Sequence, residues 1–149
     1  MWMLWLLFAL GAAAGHAALS SRVEPARTVA ARADDLAQNM AVYRSAVAAY
    51  AAAHAGFNGT VADASLNLPA WYVRLPWWSN HVADGMVTVY ASSPPPLGFA
   101  AELQRAAQYS MLAGEARGGK LHTPAFGDTG IILPAVVPNL APVWLAPLN

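Results

Sequence analysis

Ser79, His81 and Asp84 stand within six residues of one another and carry the three side-chain types of a hydrolytic triad. In such a site the hydroxyl attacks a carbonyl, the imidazole takes the proton, and the carboxylate orients the ring. A triad is a geometry rather than a spacing, and Ser79 lacks the glycine pattern that lifts a nucleophile out of a strand-to-helix turn. The other histidines, His16, His54 and His122, are scattered. None of the four makes a metal-binding interval with a carboxylate or with a second histidine. Gly114, Gly118 and Gly119 are not followed by the Lys-Ser or Lys-Thr ending of a phosphate loop. Asn58-Gly59-Thr60 matches a glycosylation sequon, but it also reads as ordinary turn chemistry. The chain has no cysteine, so disulfides and thiol catalysis are both absent. The expectation is a non-enzymatic protein without catalytic, cofactor or metal site. A secreted or periplasmic hydrolase built on Ser79, His81 and Asp84 is the competing reading.

Charge and composition narrow the partners. Eight basic and eight acidic side chains give a formal net charge of zero, which argues against a nucleic-acid surface. With 57% hydrophobic and only 11% charged residues, the balance favours burial or membrane over disorder. A chain of 149 residues fits one domain with a modest core.

The element that must position the rest runs from Val29 to His54. Val29, Ala33, Leu36, Met40, Tyr43, Val47, Tyr50 and His54 recur every three or four residues, the period of one helix face. Arg32, Asp34, Asp35, Gln38, Asn39, Arg44 and Ser45 occupy the other side, and alanines fill the flanks. Gly56 suits the left-handed conformation after a helix, so the stop falls near Ala55. Such a face either seams a coiled coil or lies on its own domain; the alanines and two tyrosines favour the second.

Before that helix, Met1 to Ser21 carries no charge and includes Trp2, Leu4, Trp5, Leu6, Leu7, Phe8 and Leu10. The 19 residues from Met1 to Leu19 would span about 28 Å as a helix, close to the hydrocarbon thickness of a bilayer. The expectation is a membrane anchor over residues 1–21, with Trp2, Trp5, Leu6 and Phe8 among its membrane-facing residues, and a single domain over 22–149. Cleavage as a secretory signal after Ala17 is the rival, although no Lys or Arg precedes the apolar run. Arg22, Arg27 and Arg32 follow it, which by the positive-inside rule alone would place the domain in the cytoplasm.

After the long helix, Thr60 to Asn80 is irregular and rich in Trp71, Tyr72, Trp77 and Trp78. Trp71 is expected to pack, and the Trp77-Trp78 pair to be exposed as an interaction patch together with Tyr43 and Tyr50. Gly85 to Ala91 is the clearest strand, ending at the stiff run Ser92-Ser93-Pro94-Pro95-Pro96. A second helix is expected over Phe99 to Leu112. Lys120 to Thr123, Gly130 to Leu133 and Val143 to Leu145 are short strand candidates, with Gly127-Asp128-Thr129-Gly130 and Pro138-Asn139 as turns. This spells an α+β fold: a long amphipathic helix on a small, mostly antiparallel sheet, with one shorter helix.

The apolar start, the long helix, Leu66-Asn-Leu-Pro-Ala-Trp-Tyr72, Gly85-Met-Val-Thr-Val-Tyr-Ala91 with its triple proline, and Leu133-Pro-Ala-Val-Val-Pro138 resemble the small PilM proteins of type IVb thin-pilus systems, distinct from the actin-like proteins of that name. The resemblance implies an inner-membrane component of pilus assembly, in the basal body or the pilin transport machinery, with its domain in the periplasm. Its partners would be other assembly proteins or pilin, with homo-oligomers possible; no nucleic acid, small-molecule substrate or cofactor is implied. The layout is pilin-like in outline, yet Met1 to Ser21 lacks the charged leader and early glutamate of a prepilin, so a minor pilin is the weaker alternative.

Overall fold

Alanine-rich periodicity becomes helix where a face can be buried, and the computed structural model, which describes residue 29 and residues 31–148, bears this out over 31–53. This helix, α1, buries Ala33, Ala37, Met40, Tyr43, Val47 and Ala51 and half-buries Leu36 and Tyr50. Gly56 follows at φ +79°, the conformation a side chain would resist. Three positions differ from expectation. His54 lies past the last helical turn, exposed, its ring stacked on Tyr50 at 4.0 Å and its Nδ1 2.8 Å from the Tyr50 carbonyl. Asn39 and Arg44, expected on the wet side, are half-buried because each reaches a partner on another element.

Six strands follow: β1 (Trp78–Ala83), β2 (Met86–Ala91), β3 (Ala113–Arg117), β4 (Lys120–Thr123), β5 (Gly127–Ile132) and β6 (Pro142–Pro147). They form one sheet in the order β1-β2-β6-β3-β4-β5, every neighbouring pair antiparallel. α2 (Phe99–Ala106) links β2 to β3, and a short 3₁₀ turn spans Asp63–Ser65. The fold is thus α+β, with two helices on a six-stranded antiparallel sheet.

Four local readings need correction. The strands β1 and β3 were not expected, because Trp-Ser-Asn-His and Ala-Gly-Glu-Ala-Arg carry weak strand signals; cross-strand pairing overrides propensity. The expected turn Gly127-Asp128-Thr129-Gly130 lies inside β5, whose register against β4 shifts between Lys120 and His122, and the turn is made by 124–126 instead. α2 stops at Ala106 rather than Leu112, since Gln108 and Tyr109 take φ of +52° and +56° to swing the chain into β3. Met111 is consequently exposed rather than on the helical stripe.

α1 and α2 cover one face of the sheet. Trp78, Val82, Val87, Val89 and Trp144 meet Met40, Tyr43, Val47, Phe99 and Leu103 there. On the other face Tyr90, Leu121, Val143 and Leu145 are closed over by Leu133 and Val137 of the segment between β5 and β6. The antiparallel registers bring the start of β1 and β6 and the ends of β2, β3 and β5 to one end of the sheet. α1 also begins at this end, where Gly98 comes close to Ala33, and finishes at the opposite end beside the Asp84-Gly85 turn.

The anchor expected over residues 1–21, its residues Trp2, Trp5, Leu6 and Phe8, and the domain start at residue 22 lie outside the described residues. Among the described residues no helix is long and apolar enough to cross a membrane.

Candidate interaction surfaces

A single amide holds the aromatic loop to α1. Asn39 Oδ1 accepts the Trp78 indole N–H at 2.8 Å and the Tyr72 hydroxyl at 2.9 Å, while Asn39 Nδ2 donates to the Val73 carbonyl at 2.9 Å. One helical turn on, the buried Tyr43 hydroxyl donates to Asp63 Oδ1 at 3.0 Å and accepts from Asn80 Nδ2 at 2.8 Å. Asn80 also exchanges hydrogen bonds with both backbone groups of Val61, at 2.8 and 3.0 Å. Arg74 closes the network: its Nε lies 2.5 Å from Asp63 Oδ2, Nη2 donates to the Trp78 carbonyl at 2.6 Å, and Nη1 donates to the Leu75 carbonyl. The guanidinium also sits 5.1 Å over the Tyr43 ring.

The environment shifts these groups as burial dictates. Desolvation pushes the Tyr72 phenol up to about 12 and raises Tyr43 as well, since neither ring can lose its proton without stranding a charge. For Arg74 burial works against the cation, but Asp63 and Tyr43 together outweigh it and the net shift is upward. The arrangement stabilises a loop conformation.

Its consequence is which aromatics point outward. Trp78 and Tyr43 are fully buried, so the expected exposed patch dissolves: Trp78 is the first inward residue of β1, and Tyr43 is the centre of the polar network. Trp77 stays half-buried, stacked on Trp78 at 6.0 Å, and Tyr50 is half-buried between His54 and Phe57. Trp71, expected to pack, is instead 72% exposed, with Val73 at 71% on the other side of the tethered Tyr72. Leu97, just before α2, is 87% exposed.

A second apolar group sits across the sheet. Ile132, Val136 and Leu140 are all exposed, and the segment bearing them is tied to the β3–β4 turn by Leu133 N–H to Gly119 O (2.9 Å), Gly118 N–H to Asn139 Oδ1 (3.0 Å) and Leu140 N–H to Ala116 O (2.7 Å). The neighbouring outer edge, β5, is bulged, and its Asp128 pairs with Lys120 at 3.1 Å. Such an edge resists indiscriminate strand addition, leaving side chains rather than backbone as the contact surface.

The chemistry-bearing residues are placed as follows. Ser79 and His81 share one face of β1, opposite Tyr90 and Thr88, while Asp84 is taken by the two-residue turn at φ +51°. Among the described residues no group of three or more metal-ligating side chains is assembled. A cleft of about 320 Å³ between α2 and the β3–β4 pair is lined by Gln104, Glu115, Arg117 and His122. Glu115 is already paired with Arg117 at 2.7 Å, and Gln104 Nε2 donates to the Ala113 carbonyl.

The chain's likeness to known proteins runs along nearly its whole length. The PilM family model matches residues 7–145. Among solved structures, the PilM protein from Escherichia coli B7A shares the fold with a TM-score of 0.58 at 24% identity, covering 78% of this chain and 92% of that one. The PilM protein from Pseudomonas aeruginosa 2192 is 38% identical over 78% of this chain and 95% of that one, with a TM-score of 0.49. No curated protein matches the chain. With 7–145 matched, the chain belongs to the PilM family.

Proposed function

We propose that this protein is a non-enzymatic component of type IVb pilus assembly, anchored in the bacterial inner membrane by residues 1–21 with its domain in the periplasm. It acts through protein contacts in the basal body or the pilin transport apparatus. Family membership supplies the pilus context, and the match begins at residue 7, so most of the uncharged N-terminal run is a family feature rather than an appendage.

The observation that carries a contact role is the Ile132, Val136 and Leu140 group. Three exposed aliphatic side chains held by backbone hydrogen bonds form a preorganised patch, and preorganisation lowers the entropy lost on binding. An anchored domain also meets other anchored domains at high effective concentration, so modest contacts suffice for assembly. The helix-backed antiparallel sheet is pilin-like in outline, and a minor pilin carried in the fibre is the second reading.

The test is Ile132→Ser with Leu140→Ser in the native bacterium. The double variant should reach the membrane fraction at parental level, lose co-purification with other pilus assembly proteins, and reduce piliation. Unchanged complexes and piliation would defeat the patch. Recovery of the protein in sheared fibres would favour a minor pilin, and loss of a hydrolytic activity on His81→Ala would favour the enzyme reading.

A further inference from the structure

We propose that the end of the domain where α1 begins rests on the bilayer, with Trp71, Val73 and Leu97 seated in the lipid interface. This rests on the anchor reading above and specifies the surface the domain turns to the membrane.

Of the four most exposed large apolar side chains among the described residues, Leu97, Trp71 and Val73 belong to the segments beside the start of α1, and the fourth, Ile132, lies across the sheet. Their placement follows from bonds already described. Val73 is fixed to Asn39 through its carbonyl, and Trp71 stands edge-on to Tyr72, whose hydroxyl is also on Asn39. Leu97 precedes Gly98, where an added Cβ would come within 3.9 Å of the Ala33 Cβ. Val29, one helical turn before Ala33, is 44% exposed on the same side. Over these three residues Trp71 faces out, Tyr72 in and Val73 out, and the inward tyrosine keeps its neighbours from folding back. Exposed apolar groups held outward cost free energy in water unless something covers them.

Chain length names the cover. Only seven residues, Arg22 to Thr28, separate the uncharged run from Val29, the first described helical residue, and the eight steps from Ser21 to Val29 reach at most about 28 Å. An anchor at 1–21 therefore holds this end, and not the Asp84-Gly85 end, against the membrane. Tryptophan favours the boundary between headgroups and acyl chains, where its ring is buried while its N–H stays hydrated. The charges along this stretch of sequence balance, Arg22, Arg27 and Arg32 against Glu24, Asp34 and Asp35, so the contact depends on apolar insertion and not on anionic lipid. The sheet register puts Ile132 at this same end of the sheet, five strand spacings or about 24 Å away from β1. A partner gripping that patch would thus stand beside the domain on the same membrane.

The absence of cysteine makes the test direct. Trp71→Cys, Leu97→Cys and, at the far end, Asn58→Cys each carry one nitroxide in the full chain, reconstituted into phosphatidylethanolamine–phosphatidylglycerol vesicles after circular dichroism has matched the parent. Collision with oxygen, which partitions into lipid, should exceed collision with a water-soluble nickel chelate several-fold at positions 71 and 97 and reverse at 58, unchanged by high salt. Chains that float with the vesicles while positions 71 and 97 are as wet as 58 would overturn the inference, leave the anchor standing, and assign the patch to a protein partner. Chains that fail to float would bring down the anchor reading and this inference together.

Discussion

The indole N–H of Trp78 donates to Asn39 Oδ1 at 2.8 Å, joining the first residue of β1 to the N-terminal half of α1. A fully buried tryptophan needs one partner for its single donor, and here that partner comes from the helix face expected to be wet. The same amide anchors Tyr72 and Val73, so one side chain fixes strand, loop and helix together.

Replacing Asn39 by alanine strands the Trp78 and Tyr72 donors, each at a cost of about 1–3 kcal/mol, while water can reach the Val73 carbonyl. A loss of about 2–4 kcal/mol is expected, seen as a thermal midpoint lower by roughly 10 °C. Asn39→Asp keeps the acceptor and should lose less than half as much.

Arg44 lies 4.4 Å over the Trp144 ring and donates to the Leu145 carbonyl at 2.8 Å, which clamps α1 to β6. Burial holds its guanidinium below the usual arginine value. Arg44→Ala should destabilise by about 1–2 kcal/mol in urea titrations. Arg44→Lys should recover only part of this, because an ammonium cannot stack as a planar fork does.

Gly114 is required by contact rather than by turn geometry. A Cβ there would fall 2.1 Å from the His122 carbonyl oxygen, which is backbone and cannot step aside. Gly114→Ala should cost about 3 kcal/mol or more and separate β3 from β4, visible as lost amide protection in both strands. Gly118→Ala, with open space but φ +57°, is the comparison and should cost about 1 kcal/mol.

The Tyr72 phenol keeps its proton up to about 12 in the folded chain, chiefly because it is desolvated, whereas an unfolded tyrosine ionises near 10. A raised folded value means the contribution is fully present below pH 10 and is lost as pH climbs through 12. Urea midpoints should therefore fall between pH 10 and pH 12. Tyr72→Phe should be less stable at pH 8, having lost the bond to Asn39, and should show a shallower alkaline decline; an equally steep decline would place the titration elsewhere, Tyr43 being the other raised phenol.

Much of the architecture was legible where one local rule sufficed. The three-and-four spacing of Ala33, Met40, Tyr43 and Val47 needs only one buried face to become α1, and Val87 and Val89 need only a neighbour to become β2. The segment Ala-Gly-Glu-Ala-Arg of β3 was not legible, because its strand character comes from β4 and β6, which meet it only after folding. The expected contact residues divide the same way: Tyr43 and Trp78 proved internal, while Trp77 and Tyr50 kept partial exposure.

What the sequence determined by itself was the class: a neutral, cysteine-free, apolar chain with one long helix, a small sheet and PilM-like segments. Which tryptophan faces solvent was decided only by tertiary structure. Trp71-Tyr72 and Trp77-Trp78 are near-identical aromatic pairs in composition, and burial follows from which indole finds an acceptor. Asn39 lies far along the chain from both and reaches Trp78, so Trp78 is covered and Trp71 is left outside. Hydrogen-bond satisfaction of a buried donor depends on a partner brought near by the fold, and no periodicity within the loop encodes it.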